Sequence, residues 1–392
     1  MSGLNNEADA HPKVIQTGFG KYTLERLPKS FKGDLRAWDA ADELILNTLN
    51  SDYAAILNQA NPILIINDAF GALLTSLHDN TAHSWGDSLL SQLASTNNLH
   101  LNQLKVTSHF IPATDELTKT YKLVIIKIPK TLSLLEDQLI RLKPYINPQT
   151  IIIAGAMSKH IHRSTLQLFE KIIGTTTTSR ATKKARLIYS KNDLENHVTH
   201  PYPKTLNIPE FQLDLISHAN VFSQNQLDIG ARFLLQQLEK CPSAQHIIDL
   251  GCGNGVLGII AQTRQKDAKL TFIDESYLAI ASATDSYQKH FKRDPLHQPN
   301  FVVSDCFNQY QGDKADLILC NPPFHQAHAV GDQIAWQMFQ QSNQQLNQKG
   351  ELWVVANRHL GYHIKLKKLF GNCRTIASNK KFVVIAAHKR RF

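Results

Sequence analysis

Apolar residues recur at helical intervals from Trp38 to Leu49 (WDAADELILNTL). The next run, Ile63 to Asn67 (ILIIN), is short and unbroken, the trace left by a strand buried on both faces. Tyr121 to Ile128 (YKLVIIKI) and Thr150 to Ala154 (TIIIA) repeat that trace, with a helical pattern from Leu132 to Leu142 between them. The alternation then starts again. Strands are predicted at His246 to Leu250, Leu270 to Ile273, Phe301 to Val303, Leu317 to Leu319, Leu352 to Val355 and Phe382 to Ala386. Strands at helix-length intervals predict a parallel sheet with crossover helices, so the chain reads as an α/β fold built twice. A polar, proline-bearing stretch from Tyr189 to Pro209 separates the halves. The predicted plan is a mobile extension over 1–20, a first domain over 21–200 and a second over 206–392.

The halves also match each other. INDAFGALL (Ile66 to Leu74) aligns with IDLGCGNGVLG (Ile248 to Gly258), and VIIKIPK (Val124 to Lys130) with ILCNPPF (Ile318 to Phe324). IIIAGAMSKHIH (Ile151 to His162) aligns with LWVVANRHLGYH (Leu352 to His363). Three matches in the same order, at offsets of roughly 180 to 200 residues, favour duplication over the chance similarity of α/β strands.

Composition narrows the class. At 42% hydrophobic and 19% charged residues over 392, the chain is globular and long enough for two cores. No window is apolar enough to cross a membrane, and the polar, acidic stretch from Met1 to Ala10 does not resemble a secretory signal, so none is expected. The five cysteines stand singly, which fits neither a zinc ribbon nor a disulfide framework and predicts a reducing, cytoplasmic setting. The formal charge of +9 is compatible with phosphate attraction and equally with a merely basic surface.

The chemistry concentrates in the second half. Asp249-Leu250-Gly251-Cys252-Gly253-Asn254-Gly255 follows a predicted strand and precedes a helical run. Glycines there allow a sharp turn and close approach to a ligand, and Asp249 can hold a cationic amino group. Gly253-x-Gly255-x-x-Gly258 also fits a dinucleotide fingerprint, which keeps a nicotinamide enzyme in view. Asp274 ends the next strand about where an acid accepts ribose hydroxyls, although Asp274-Glu275-Ser276 equally reads as a helix cap. Asp305 follows the third strand, where a side chain could meet an adenine amino group or simply close a turn. The most informative motif is Asn321-Pro322-Pro323-Phe324. A rigid turn explains its prolines but not the Asn or the Phe. An amine conjugated to a base or an amide is a poor nucleophile. The Asn321 side-chain oxygen and the Pro322 carbonyl can each accept one of its N–H groups, the prolines fix the backbone direction, and Phe324 offers a stacking face.

In this order DLGCGNG, FID, SDCF and NPPF resemble the motifs of class I methyltransferases that modify amino groups. VFSQNQLDIGARFLL (Val221 to Leu235), LWVVANRHLGYH and FGNCRTIASNKKFVVIAA (Phe370 to Ala387) are similar to the ribosomal guanine-N2 methyltransferases. LRAWDAADELIL (Leu35 to Leu46) and ILIINDAFGALL (Ile63 to Leu74) extend that likeness into the first half. The resemblance implies two tandem Rossmann-like methyltransferase domains and S-adenosylmethionine as cofactor. It implies ribosomal RNA as partner, 23S in preference to 16S; a monomer, with no membrane and no metal, is expected alongside, the last two from the hydropathy and the residue spacing. Asp249, Gly251 and Gly253 would surround the methionine part of the cofactor, Asp274 the ribose and Asp305 the adenine, with Phe222 as a pocket wall. Methylation of a protein glutamine and a non-catalytic RNA-binding factor remain the alternatives.

The first copy departs from the pattern. Ala69, Phe70 and Ala72 surround a lone Gly71, and Lys127-Ile128-Pro129-Lys130 replaces the tetrapeptide, which implies a degenerate domain without cofactor. Lys127 and Lys130, with Lys183, Lys184 and Arg186, mark it for RNA capture. A second RNA-facing strip is expected from Lys365, Lys367, Lys368, Lys380, Lys381 and Lys389-Arg390-Arg391, with Tyr362 and Phe382 interleaved. His325, His328, His359 and His363 lack metal-ligand spacing and read as surface or RNA-facing residues.

Overall fold

A computed structural model describes residues 13–29, 35–59, 62–106, 108–195, 198–291, 298–323 and 328–390. The chain divides into two compact units, Met1–His200 and Pro201–Phe392.

The first unit opens on a hairpin, β1 (Val14–Thr17) with β2 (Gly20–Thr23), followed by helices α1 (Ala40–Asp52) and α2 (Ala54–Leu57). Its sheet is then laid down by β3 (Ile63–Ile66), α3 (Ala72–Ser76), β4 (Ala82–Gly86), α4 (Leu89–Leu101) and β5 (His109–Pro112). It continues through β6 (Leu123–Lys127), α5 (Leu132–Leu142), β7 (Ile151–Met157), α6 (Arg163–Ile172), β8 (Thr176–Thr178) and β9 (Ala185–Ser190). The hairpin corrects the expectation of a mobile extension over 1–20 for its described residues, because Ile15 is buried in the core against α1.

The second unit opens on another hairpin, β10 (Lys204–Ile208) with β11 (Leu213–Ser217), and a short helix α7 (Ile229–Leu235). Then come β12 (His246–Leu250), α8 (Val256–Arg264), β13 (Lys269–Asp274), α9 (Tyr277–Phe291) and β14 (Asn300–Val303). The unit ends with β15 (Ala315–Cys320), α10 (His328–Gln345), β16 (Leu346–Asn357), α11 (Tyr362–Phe370), β17 (Arg374–Ser378) and β18 (Phe382–His388). β9 and β10 both intrude on the stretch read as a linker, which shortens it to the residues between them.

The two sheets have one topology. The orders are β5-β4-β3-β6-β7-β9-β8 and β14-β13-β12-β15-β16-β18-β17. In each, five strands pair in parallel, and the sixth in the order, β9 or β18, runs antiparallel to both of its neighbours. Identical order in both halves is what a duplicated class I methyltransferase fold produces.

Burial on both faces explains why the central strands are unbroken apolar runs. In the second unit Ile247, Leu317, Leu319, Trp353 and Val355 pack on one face, and Ile248, Leu250, Ile318, Cys320 and Val354 on the other. Strand order reverses at β12, whose neighbours are β13 and β15, so a crevice opens at the carboxyl ends of these strands. Among the described residues, no helix is long and apolar enough to cross a membrane.

Candidate active site

Asp249, Asp274, Asp305 and Asn321 stand at or just beyond the carboxyl ends of β12, β13, β14 and β15. β12 delivers Asp249 fully buried, with Oδ2 accepting the backbone N–H of Gly258 at 2.8 Å. Its Oδ1 is buried and has no hydrogen-bond partner among the described residues. Burial, reinforced by the neighbouring Asp274, pushes this carboxyl from 3.8 up to about 8. The chain then turns through Gly251, Gly253 and Gly255, all at positive φ, and Gly255 starts α8. A Cβ at Gly253 would meet nothing within 4 Å among the described residues, so the turn borders open space. A Cβ at Gly251 would come within 3.2 Å of the buried Met338 on α10.

Asp274 ends β13 beside this turn. Its Oδ2 accepts the Gly253 N–H at 3.0 Å and its Oδ1 the Ser276 N–H at 3.0 Å. Ser276, whose Oγ accepts the Ala279 N–H at 3.0 Å, is the residue that caps α9, which corrects the cap reading of Asp274. The Asp274 carboxylate instead ties the glycine turn to the residue ahead of that helix. Asp305, beyond β14, accepts side-chain amides from Gln337 at 3.0 Å and Asn308 at 2.7 Å. Phe222 is 57% exposed and lies between Asn220 and Ser223, both at positive φ.

Asn321 follows β15, whose Cys320 pairs with Leu250 of β12. Its Nδ2 donates to Asp228 Oδ2 at 3.2 Å. Its Oδ1 is buried and unpartnered among the described residues. Pro322 is buried and Pro323 half-buried, whereas Phe324 and His325 lie outside the described residues. Asp228, unlike these, was not singled out from the sequence. Its signal was there, an Asp immediately before the helical run IGARFLL, and it is the N-cap of α7.

The first unit fills the same stations with its own side chains. A Cβ at Gly71 would lie 2.6 Å from Ser95 Cα, leaving no open space at that turn. Asp68 spends both oxygens on the N–H groups of Ala72 and Leu74. Lys127, aligned with Asn321, has its side chain only 14% exposed and pairs with Asp42 at 2.7 Å and Asp39 at 2.9 Å. Burial opposes its charge, but the two carboxylates outweigh it and hold the ammonium above its ordinary value. Lys127 is therefore not available to phosphate, which corrects that part of the capture surface.

The C-terminal strip needs a similar correction. Tyr362 and Phe382 are buried, so they interleave nothing at the surface. Lys365 pairs with Asp332, Lys389 donates to the carbonyls of Gln344 and Leu346, and Arg390 to that of Gly371. Lys367, Lys368, Lys380 and Lys381 remain exposed, as do His359 and His363, while Arg391 lies outside the described residues.

Residues 12–194 match the family described as the RLMG N-terminal domain, and 212–386 the methyltransferase small domain. The chain is 45% identical over 381 residues to a protein of Aeromonas salmonicida named ribosomal RNA large subunit methyltransferase G, spanning 96% of this chain and 99% of that one. A Yersinia pestis protein of the same name is also 45% identical, over 96% of this chain and 94% of its own length. Among solved structures, a T. thermophilus 16S rRNA N2 methyltransferase in complex with AdoMet and guanosine is similar, with a TM-score of 0.73 at 16% identity. That match covers 99% of this chain and 100% of the other, and carries the fold across both units.

Proposed function

The chain belongs to the ribosomal RNA large subunit methyltransferase G family and is an S-adenosylmethionine-dependent methyltransferase, and on that premise we propose that it methylates the exocyclic N2 of a guanine in 23S ribosomal RNA. The observation that carries this reading is the Asn321 amide. Its nitrogen is tied back to Asp228 and its oxygen is buried with no partner among the described residues, so an acceptor waits for a donor. An unpaired buried acceptor is costly, and a substrate N–H relieves that cost.

The residues present fit the cofactor. The orphaned Oδ1 of Asp249 suits the cofactor's ammonium, and the open space over Gly253 suits a ligand in close backbone contact. Asp274 would reach the ribose and Asp305 the adenine, each with acceptor capacity beyond its present bonds. Phe222, an exposed aromatic ahead of α7, would serve as a wall of that pocket. When bound, S-adenosylmethionine supplies an electrophilic methyl on a sulfonium, leaves as S-adenosylhomocysteine and calls for no metal.

The protein's own task is to make a conjugated amine nucleophilic and hold it in line. Asn321 Oδ1 accepts one N2–H and the Pro322 carbonyl the other, drawing the nitrogen out of conjugation toward a tetrahedral shape. The prolines lock the backbone that aims this carbonyl. Alignment of this kind supplies a large share of the barrier reduction in bimolecular transfer. The stacking role assigned to Phe324 rests on the sequence motif.

Incubating the protein with radiolabelled cofactor, large-subunit ribosomal RNA and total cell protein, then digesting each fraction, tests the reading. N2-methylguanosine in the RNA is expected. N5-methylglutamine in protein, with unlabelled RNA, would overturn it.

A further inference from the structure

An asparagine amide has two ends of nearly equal size and opposite hydrogen-bonding character. Turned over, Asn321 would offer an NH2 to the substrate's N–H groups and repel them. Something must choose the end that faces the substrate. Among the described residues, the one side chain that hydrogen-bonds Asn321 is Asp228, whose Oδ2 lies 3.2 Å from Nδ2. A carboxylate oxygen accepts and never donates, so it rejects the reversed amide, which would place oxygen against oxygen.

Asp228 is itself held. The same Oδ2 accepts the backbone N–H of Ala231 at 2.7 Å, and Asp228 is the N-cap of α7. A helix packed on the sheet thus supplies a fixed acceptor to the residue following β15.

The first unit repeats the arrangement with a different outcome. Asp39 caps α1, accepting from Ala41 N at 2.8 Å and Asp42 N at 3.3 Å. It touches Lys127, which follows Ile126 in β6 as Asn321 follows Cys320 in the matched strand. In both copies a cap aspartate meets a donor at this station. Lysine is donor only, and there the site is closed. Asparagine ties its donor to the cap aspartate and leaves its buried acceptor without a partner among the described residues.

We propose that Asp228 is the positioning residue of the methyl transfer, setting the face of the Asn321 amide so that its oxygen meets the guanine amine. The proposal rests on the amine-gripping role of Asn321 given above. It predicts that Asp228→Ser, which keeps a capping hydroxyl but withdraws the acceptor from Asn321, slows the single-turnover rate on large-subunit ribosomal RNA by roughly 10-fold, a modest misplacement of a reacting group. Cofactor affinity stays near that of the parent. Asp228→Asn keeps an oxygen at the same place and recovers most of the rate.

A double-mutant cycle separates positioning from mere capping. Rates are taken per cofactor-binding site, so any unfolded fraction drops out. In an Asn321→Ala background, adding Asp228→Ser should cost nothing further, because the amide it orients is gone. Multiplicative losses, or an Asp228→Ser enzyme at the parental rate, overturn the positioning role while leaving the Asn321 reading intact. An Asn321→Ala enzyme at the parental rate removes the reading beneath it instead.

Discussion

Asp249 accepts the Gly258 backbone N–H through one oxygen at 2.8 Å and keeps its other oxygen buried without a partner among the described residues. This carboxyl ties β12 to α8 and keeps a buried acceptor in reserve beside the glycine turn. With burial pushing it to about 8, it carries a proton through much of the neutral range before the cofactor arrives.

Cofactor binding should therefore release a proton, since an ammonium favours the ionised carboxylate. Calorimetry at pH 7 in buffers of different ionisation heat should give different apparent enthalpies, and Asp249→Asn should abolish the difference while weakening binding. The stability sign follows as well. A folded-state value above 3.8 means that the contribution of this group is full below 3.8 and is lost as pH rises through about 8. Thermal melts of the cofactor-free protein should show Asp249→Asn gaining on the parent as pH rises from 6 to 9. A gap that does not change with pH would contradict the assignment.

The glycines divide into those that serve the ligand and those that serve the fold. A Cβ at Gly258 would fall 2.5 Å from the Phe272 ring, inside the packed core, whereas one at Gly253 enters open space at φ +54°. Gly258→Ala should lower the melting temperature by several degrees. Gly253→Ala should cost about 1–2 kcal/mol for its left-handed backbone and weaken cofactor binding beyond that. Paired melts and titrations check both, and unchanged cofactor affinity in Gly253→Ala would remove that residue from the pocket.

The sequence carried the central strands because burial on both faces leaves an unmistakable apolar run, as at Ile63–Ile66 and His246–Leu250. It did not carry β4, AHSWG, or β5, HFIP, toward the sheet edge, where polar and apolar residues mix without a clear period. The hairpin of β1 and β2 is too short for any period to register. The glycine turn and Asn-Pro-Pro were legible because their chemistry is local. The plugging of the first copy was not, since Lys127 meets Asp39 only across 88 positions of chain, and a lysine in isolation reads as a phosphate ligand. Tyr362 and Phe382 misled for the same reason: their burial is decided by α11 and β18 packing, not by their lysine neighbours.

The plug makes its own prediction. Lys127→Ala strands the buried Asp42 and should destabilise the chain by about 3–5 kcal/mol in denaturant, with cofactor affinity unchanged. It should not alter the salt dependence of RNA binding. Lys130→Glu and Lys184→Glu alter exposed cations and should make the log–log salt slope shallower by about 0.7 for each single-strand phosphate that is no longer neutralised. Slopes equal to the parent in both would leave the first unit without a phosphate-binding role on this side.

The central claim is that the free oxygen of Asn321 grips the amine that receives the methyl group, and Asn321→Ala under single-turnover conditions tests it most directly. With cofactor saturating and large-subunit ribosomal RNA as substrate, cofactor affinity should stay near that of the parent. The rate of N2-methylguanosine formation should fall by roughly 10² or more, the scale of losing one preorganised polar group at a reacting centre. A variant that binds cofactor normally and forms N2-methylguanosine at the parental rate would contradict the account.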